Sequence, residues 1–384
     1  MATKHRFTAL DSLRGISASI IVFVHLEGDA LVKSMPLVKN GGLFVDFFFV
    51  LSGFVIASSY GQRLADGFSI SSFMLLRLGR LFPLHIFVLL LYLPVALLKS
   101  GYSLFDFIDA SLLLQVWTPY AWPGHTNPWN PPSWSISAEV WTYLFFAIIC
   151  RISRSIFIPA FALFIPASVI GLLAFHGPHL DACFAGSGFL RCLFGFSFGV
   201  VCYKVWNDLS GMTFSIMMAT IIESIAVTAC ILSITYSDGT LSMLCPAAFA
   251  NAVFVFAFQQ GLLSNLLRTK FFVLLGAWSY SIYMIHEFVM ARFYNVVSYI
   301  SRYIALPFFI DPSGFGMKNT IRFGSDVGTL TLYLVILLFS YLTFTLIETP
   351  CRERTRRFVA RNRARLAEIS VVEIVEPEAA KFKS

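Results

Sequence analysis

About ten stretches of the chain are long and apolar enough to cross a bilayer, near residues 7–27, 41–61, 78–98, 134–151, 155–175, 186–206, 213–235, 240–262, 271–298 and 327–347. Inside hydrocarbon every backbone N–H and C=O must find a partner within its own segment, and consecutive runs of this length satisfy that only as helices. The fold class that follows is all-α: a polytopic transmembrane helix bundle of about ten spans. Composition agrees, because 57% of residues are hydrophobic and only 13% are charged, too few to coat a water-soluble globule of 384 residues. Lipid must cover much of the surface.

An even number of spans puts both termini on one side, and the charges choose that side. Lys4 and Arg6, then Arg63, Arg77 and Arg80, then Arg151 and Arg154, Lys204, Arg268 and Lys270, and the arginine-rich stretch from Arg352 to Arg365 all share the N-terminal side. The opposite loops carry the weaker set Lys33, Lys39, Lys99, Arg302, Lys318 and Arg322. By the positive-inside rule both termini are expected in the cytoplasm. The same distribution accounts for the net charge of +7 without nucleic acid, since basic residues flanking apolar segments orient a membrane protein and build no groove for phosphodiesters. The first apolar run is followed by Glu27 and Asp29, not by a small-residue cleavage site, so it is expected to stay attached as a span.

Residues 1–351 read as one transmembrane domain, and 352–384 as a basic cytoplasmic helix with a disordered tail. The 99–133 segment, rich in Pro and Trp, reads as a stiff outer loop that lies in the headgroups or covers a site. The seven cysteines show no CxxC spacing and mostly sit in apolar runs, so they read as small core residues. His176-Gly-Pro-His179 reads as a loop, and no metal is expected.

An ionisable side chain within a span costs about 2.5–3.5 kcal/mol on insertion scales, which makes each one a candidate for function. Asp11, Arg14 and His25 fall on one stripe of the first span, through the spacing 11, 14, 18, 21, 25. At 1.5 Å per residue Arg14 and His25 stand about 16 Å apart along the axis, one toward the cytoplasm and the other near the outer leaflet. Taken singly, Arg14 is equally well explained as a snorkelling residue neutralised by Asp11, and His25 as a satisfied interfacial histidine. The fourth span carries Ser135, Glu139 and Tyr143 on one face, next to Trp134, and the ninth carries Ser279, Tyr283 and His286. His286 falls roughly 22 Å into a core of about 30 Å, so His25, Glu139 and His286 are expected at comparable depth in the outer half. Arg77 and Arg80 share a face just before Pro83, at the cytoplasmic entrance of the third span. Alone they read as positive-inside anchors; with Arg14 they form a basic mouth for a polyanionic donor such as coenzyme A. Walker-type and dinucleotide-binding motifs do not occur in the sequence.

Several ordered blocks carry a resemblance: Leu10-Asp-Ser-Leu-Arg-Gly-Ile16 running to His25, Val45-Asp-Phe-Phe-Phe-Val-Leu-Ser-Gly-Phe-Val-Ile56, Arg77-Leu-Gly-Arg-Leu-Phe-Pro83, Ser133-Trp-Ser-Ile-Ser-Ala-Glu139, Leu275 to His286, and Ile347-Glu-Thr-Pro350 followed by Arg352. In these the chain resembles the membrane-bound acyltransferase family 3, whose bacterial members O-acylate exported glycans. The resemblance implies a multi-pass protein of the bacterial inner membrane that takes an acyl group, acetyl foremost, from acyl-CoA in the cytoplasm. The acceptor it implies is a hydroxyl of an exported or lipid-linked glycan such as an exopolysaccharide, with membrane lipid and other envelope polysaccharide assembly proteins as partners. His25 and Glu139 map to catalytic positions, and Arg14, Arg77 and Arg80 to acyl-CoA-binding ones, with Asp11, Trp134, Ser135, Tyr283 and His286 in support. Two departures stand out: Leu76 occupies a position that is often basic, and no SGNH hydrolase-like domain is appended. The bundle is therefore expected to complete the transfer itself or to hand the acyl group to a separate protein.

Chemically, a sugar hydroxyl needs a base, and histidine is suited to that task. Glu139 is expected to accept a hydrogen bond from the second ring nitrogen of His25 and so fix its tautomer. Two other readings stay open. One keeps the chemistry and changes the acceptor to a small hydrophobic or lipid molecule; the other is a transporter whose midplane polar residues relay protons or ions.

Overall fold

A computed structural model describes residues 6–26, 31–98, 103–118, 129–153, 155–183, 185–304 and 326–364 of the chain. All regular structure among these residues is helical. Nine of the described helices are long and apolar enough to cross a membrane: α2 (Gly41–Ala65), α3 (Ile70–Leu98), α4 (Pro131–Ile152), α5 (Phe157–Phe175), α6 (Ser187–Leu209), α7 (Ile216–Thr235), α8 (Gly239–Ala257), α9 (Lys270–Ile300) and α10 (Asp326–Ala364). The first predicted span is α1, Thr8–His25, an 18-residue helix. It is more polar than the other nine because it carries Asp11, Arg14, His25 and a row of Ser and Gly. It packs against α2, α8 and α9, so protein surrounds much of it in place of lipid.

Lipid-facing surface falls mainly to other helices. Leu163, Ile170 and Phe175 on α5, and Met217 and Ile225 on α7, all stand exposed. Such apolar exposure would be a liability in water and is the expected covering in a bilayer.

Two close crossings bring the polar residues together. A methyl group at Gly15 would lie 2.5 Å from the backbone N of Gly276, and one at Gly276 would lie 2.2 Å from the carbonyl O of Asp11. Only glycine at both places lets α1 and α9 touch backbone to backbone, as small residues commonly do between membrane helices. Beside the contact, Ser12 donates its hydroxyl to the Leu267 carbonyl at 2.6 Å. The second crossing joins α3 to α10, where a methyl group at Gly79 would lie 2.3 Å from Thr355 Oγ1. It brings the Arg77–Arg80 turn of α3 against the arginine-bearing end of α10.

Both of those helices are longer than their apolar runs suggest. The third span was expected over 78–98, with its arginines at the entrance. The helix instead starts at Ile70 and continues through Pro83 and Pro94, so Arg77 and Arg80 lie two to three turns inside it. The last span was expected over 327–347, with a separate surface helix after Pro350. In the structure α10 runs unbroken from Asp326 to Ala364. A π-helical turn at Phe344–Glu348 precedes Pro350. Such a turn accommodates a residue that cannot donate to the ladder and that would otherwise break it. The tail beyond Ala364, and residues 119–128 of the Pro- and Trp-rich loop, lie outside the described residues.

A buried ion pair ties α2 to α6. Arg191 donates to Asp46 through Nη2 at 2.7 Å and through Nε at 3.0 Å. Its guanidinium also lies 5.2 Å from the centre of the Trp134 ring. Fork and carboxylate satisfy each other, which is the condition for holding charges inside a bundle.

Candidate active site

The crossings of α1 with α9 and of α3 with α10 leave a cavity of about 650 Å³ between them, with Arg6 and Arg356 among its lining residues. Arg14, Arg77, Arg80 and Arg352 line it, together with Glu139 and Tyr143. Arg14 is held by donating Nε–H to Ser279 Oγ at 2.8 Å, while the Ser279 hydroxyl donates to the Gly276 carbonyl at the helix crossing. Arg77 lies over the Tyr60 ring, 4.9 Å from its centre, and donates to the Tyr60 hydroxyl at 3.1 Å. Glu348, from the π-helical turn, accepts from the Ser281 hydroxyl at 3.1 Å and stands 3.8 Å from Arg352. The Nε atoms of Arg77, Arg80 and Arg352 are buried without a protein acceptor. Guanidinium groups gathered on one cavity suit a ligand rich in anionic oxygens.

Glu139 sits among these arginines. Its Oε1 accepts the hydroxyls of Ser52 and Tyr143, each at 2.5 Å, and those two hydroxyls lie 2.7 Å apart. This closed triangle holds the carboxylate on the wall of the cavity. The spacing of Ser135, Glu139 and Tyr143 therefore does place one face inward, since all three line the cavity.

At the far end Tyr283 closes the space. Its hydroxyl donates to the Pro132 carbonyl at 3.0 Å and lies 2.8 Å from Ser135 Oγ, and Phe48 packs edge-on against its ring. Beyond Tyr283 stands a second cluster. His286, fully buried, has Nδ1 2.7 Å from the Tyr283 carbonyl. His25 Nδ1 is 2.9 Å from the Ile21 carbonyl. A carbonyl only accepts, so the neutral form of each ring carries its hydrogen on Nδ1 and leaves Nε2 unprotonated. His286 Nε2 points to His25 Nδ1 at 3.3 Å, and His25 Nε2 stands 3.4 Å from Glu287 Oε1. The His25 side chain is 39% exposed, so part of it is reachable from outside the cavity.

Two expectations need correction. Glu139 does not pair with His25 and does not share its level in the bundle: Ser52 and Tyr143 occupy its Oε1, and the carboxylate at the His25 ring is Glu287. The tautomer of His25 is set by the Ile21 carbonyl of its own helix, one turn back. Asp11 likewise does not hold Arg14, because its nearest ionic contact is Arg6 at 3.4 Å. Trp134 lies against the Arg191 guanidinium and does not line the cavity. The sequence reading missed Glu287, Ser52, Tyr60, Arg352 and Arg356. Glu287 carried the clearest signal, being an ionisable residue inside a span and adjacent to His286.

Over residues 7–349 the chain matches the family described as an acyltransferase domain, the membrane acyltransferases of family 3. The chain belongs to that family. It is 27% identical over 320 residues to acyltransferase MdmB of Streptomyces mycarofaciens, an overlap covering 74% of this chain and 79% of that one. It is also 41% identical over 87 residues to protein 2 in the picA locus of Rhizobium radiobacter, covering 22% of this chain and 44% of that one. No solved structure matches it. As a member of acyltransferase family 3 with many apolar helices, it is a multi-pass membrane acyltransferase.

Proposed function

We propose that this acyltransferase moves an acetyl group from cytoplasmic acyl-CoA to a hydroxyl of an exported or lipid-linked glycan. One observation carries the reading: Arg14, Arg77, Arg80 and Arg352 line a cavity that reaches Tyr283 on one side, and His25, with Nδ1 at the Ile21 carbonyl, stands on the other. Phosphates of the donor would engage Arg14, Arg77, Arg80 and Arg352, and the pantetheine arm would run along α1 toward Tyr283. The charge pattern of the loops assigns the basic end of the bundle to the cytoplasm. The acceptor would approach His25 from the opposite side and would not have to enter the cytoplasm.

In the transfer, His25 Nε2 takes the proton of the acceptor hydroxyl as its oxygen attacks the thioester carbonyl. The tetrahedral intermediate collapses, the C–S bond breaks, and the imidazolium returns the proton to the departing thiolate. The Ile21 carbonyl keeps Nδ1 protonated throughout, and the Glu287 carboxylate stands beside Nε2. Glu139 would organise the donor side of the cavity.

The test is the purified protein in lipid nanodiscs with radiolabelled acetyl-CoA, together with glycan extracted from paired wild-type and deletion cells. Thioester consumption and labelled glycan ester are expected only with active protein. If neither acetyl-CoA nor a longer acyl-CoA is consumed, with glycan present, the donor assignment fails.

A further inference from the structure

We propose that His25, His286 and Glu287 form a binding site for a late first-row divalent transition ion, zinc foremost, and that an ion seated there stops acyl transfer. One ligand atom from each of the three residues lies within 4.8 Å of the other two. Both histidines are preset as ligands. In its neutral form each donates Nδ1–H to a carbonyl of its own helix, Ile21 for His25 and Tyr283 for His286, which leaves Nε2 as the donor atom. Backbone carbonyls holding the second nitrogen are the usual outer partners of metal-bound imidazoles. The His25 Nε2 to Glu287 Oε1 separation of 3.4 Å equals the edge of a tetrahedron drawn around zinc with ligands at about 2.1 Å. His286 is fully buried with Nε2 facing His25, whereas His25 is partly exposed and can exchange its Ile21 contact to bring Nε2 around to the shared point. The exposed edge is also the entry path and leaves a coordination position for water.

Two imidazoles and one carboxylate match zinc and its neighbours in the series, and they match magnesium or calcium poorly, since those ions prefer all-oxygen sets. The predicted consequence follows from occupancy of one lone pair. The same Nε2 electrons that would take the hydroxyl proton become the metal–nitrogen bond. This second half rests on the proposed role of His25, while the binding half does not.

The experiment titrates zinc chloride alone into the intact protein in lipid nanodiscs by calorimetry, with magnesium chloride as control. Wild type is expected to bind one zinc per chain and no magnesium. His286→Gln and Glu287→Gln should each weaken zinc by at least about 10- to 100-fold, the loss typical of disturbing even the outer shell of such a site. Glu287→Asp, which keeps a carboxylate, should retain most of the affinity, and unchanged helicity and monodispersity of each variant would exclude misfolding. Equal zinc affinity in wild type and both Gln variants would overturn the site. Acyl transfer measured in parallel should fall as the zinc isotherm saturates. Full activity at saturating zinc would overturn the blocking role and, with it, the role of His25 as base, whereas absent acyl transfer under every condition would count against the proposed function and leave the isotherm intact.

Discussion

The Tyr283 carbonyl accepts the Nδ1–H of His286 at 2.7 Å, so the residue whose ring closes the arginine-lined cavity also positions the histidine behind His25. Donor side and histidine cluster thus meet at one turn of α9. In Tyr283→Phe the carbonyl bond survives and only the hydroxyl contacts to Pro132 and Ser135 are lost. A buried hydrogen bond lost this way costs about 0.5–1.5 kcal/mol, so kcat should fall by roughly threefold to tenfold with donor affinity nearly unchanged. Steady-state kinetics of that variant checks the split between kcat and donor binding.

Neutral replacements at the cavity should act on the donor. Arg14→Gln, Arg77→Gln, Arg80→Gln and Arg352→Gln each remove a charge-assisted contact worth about 1.5–3 kcal/mol, or ten- to a hundredfold in affinity. The loss should shrink as salt rises, because screening weakens the wild-type contact as well. Equilibrium binding of acyl-CoA at two ionic strengths reads this directly. Affinity unchanged in all four variants would reduce these residues to topological anchors.

The triangle of Glu139, Ser52 and Tyr143 should behave as a unit. Ser52→Ala and Tyr143→Phe each leave one hydroxyl on Glu139, while the double variant leaves none. A double-mutant cycle on acyl-CoA turnover should show a coupling of about 0.5–3 kcal/mol, as for neighbours in one network. Strict additivity would mean that the two hydroxyls act independently.

The crossing of α1 and α9 yields a stability prediction. A methyl group at Gly276 meets the Asp11 carbonyl at 2.2 Å, backbone that cannot move aside cheaply. Gly276→Ala should cost about 1–3 kcal/mol, the usual range for overpacking, and lower the thermal midpoint in detergent. Gly42→Ala, where nothing stands within 4 Å, is the control.

Much of this was written in the local sequence. The spans announced themselves because hydrocarbon forces helices, and the i, i+4 rows on α4 and α9 showed which faces turn inward: Ser135, Glu139 and Tyr143 share the cavity as their spacing requires. What spacing along one helix does not encode is the relative depth and rotation of two helices. Glu139 and His25 had comparable depth by residue counting, yet α4 delivers Glu139 to Ser52 and α9 delivers Glu287 to His25. The helix ends misled for a different reason. Arg77, Arg80 and Arg352 look like flanking charges when hydropathy is averaged, whereas in the bundle they face an internal cavity, so the helices that bear them run on past the expected ends.

The central claim is that His25 Nε2 removes the acceptor proton while the arginines hold the donor. The most direct test is paired measurement on His25→Ala: acyl-CoA binding by calorimetry, and labelled ester formed on the glycan at matched protein level. Binding near wild type with ester formation abolished is the predicted result. Ester formed at a comparable rate by the His25→Ala protein would contradict the account and move the base to another residue.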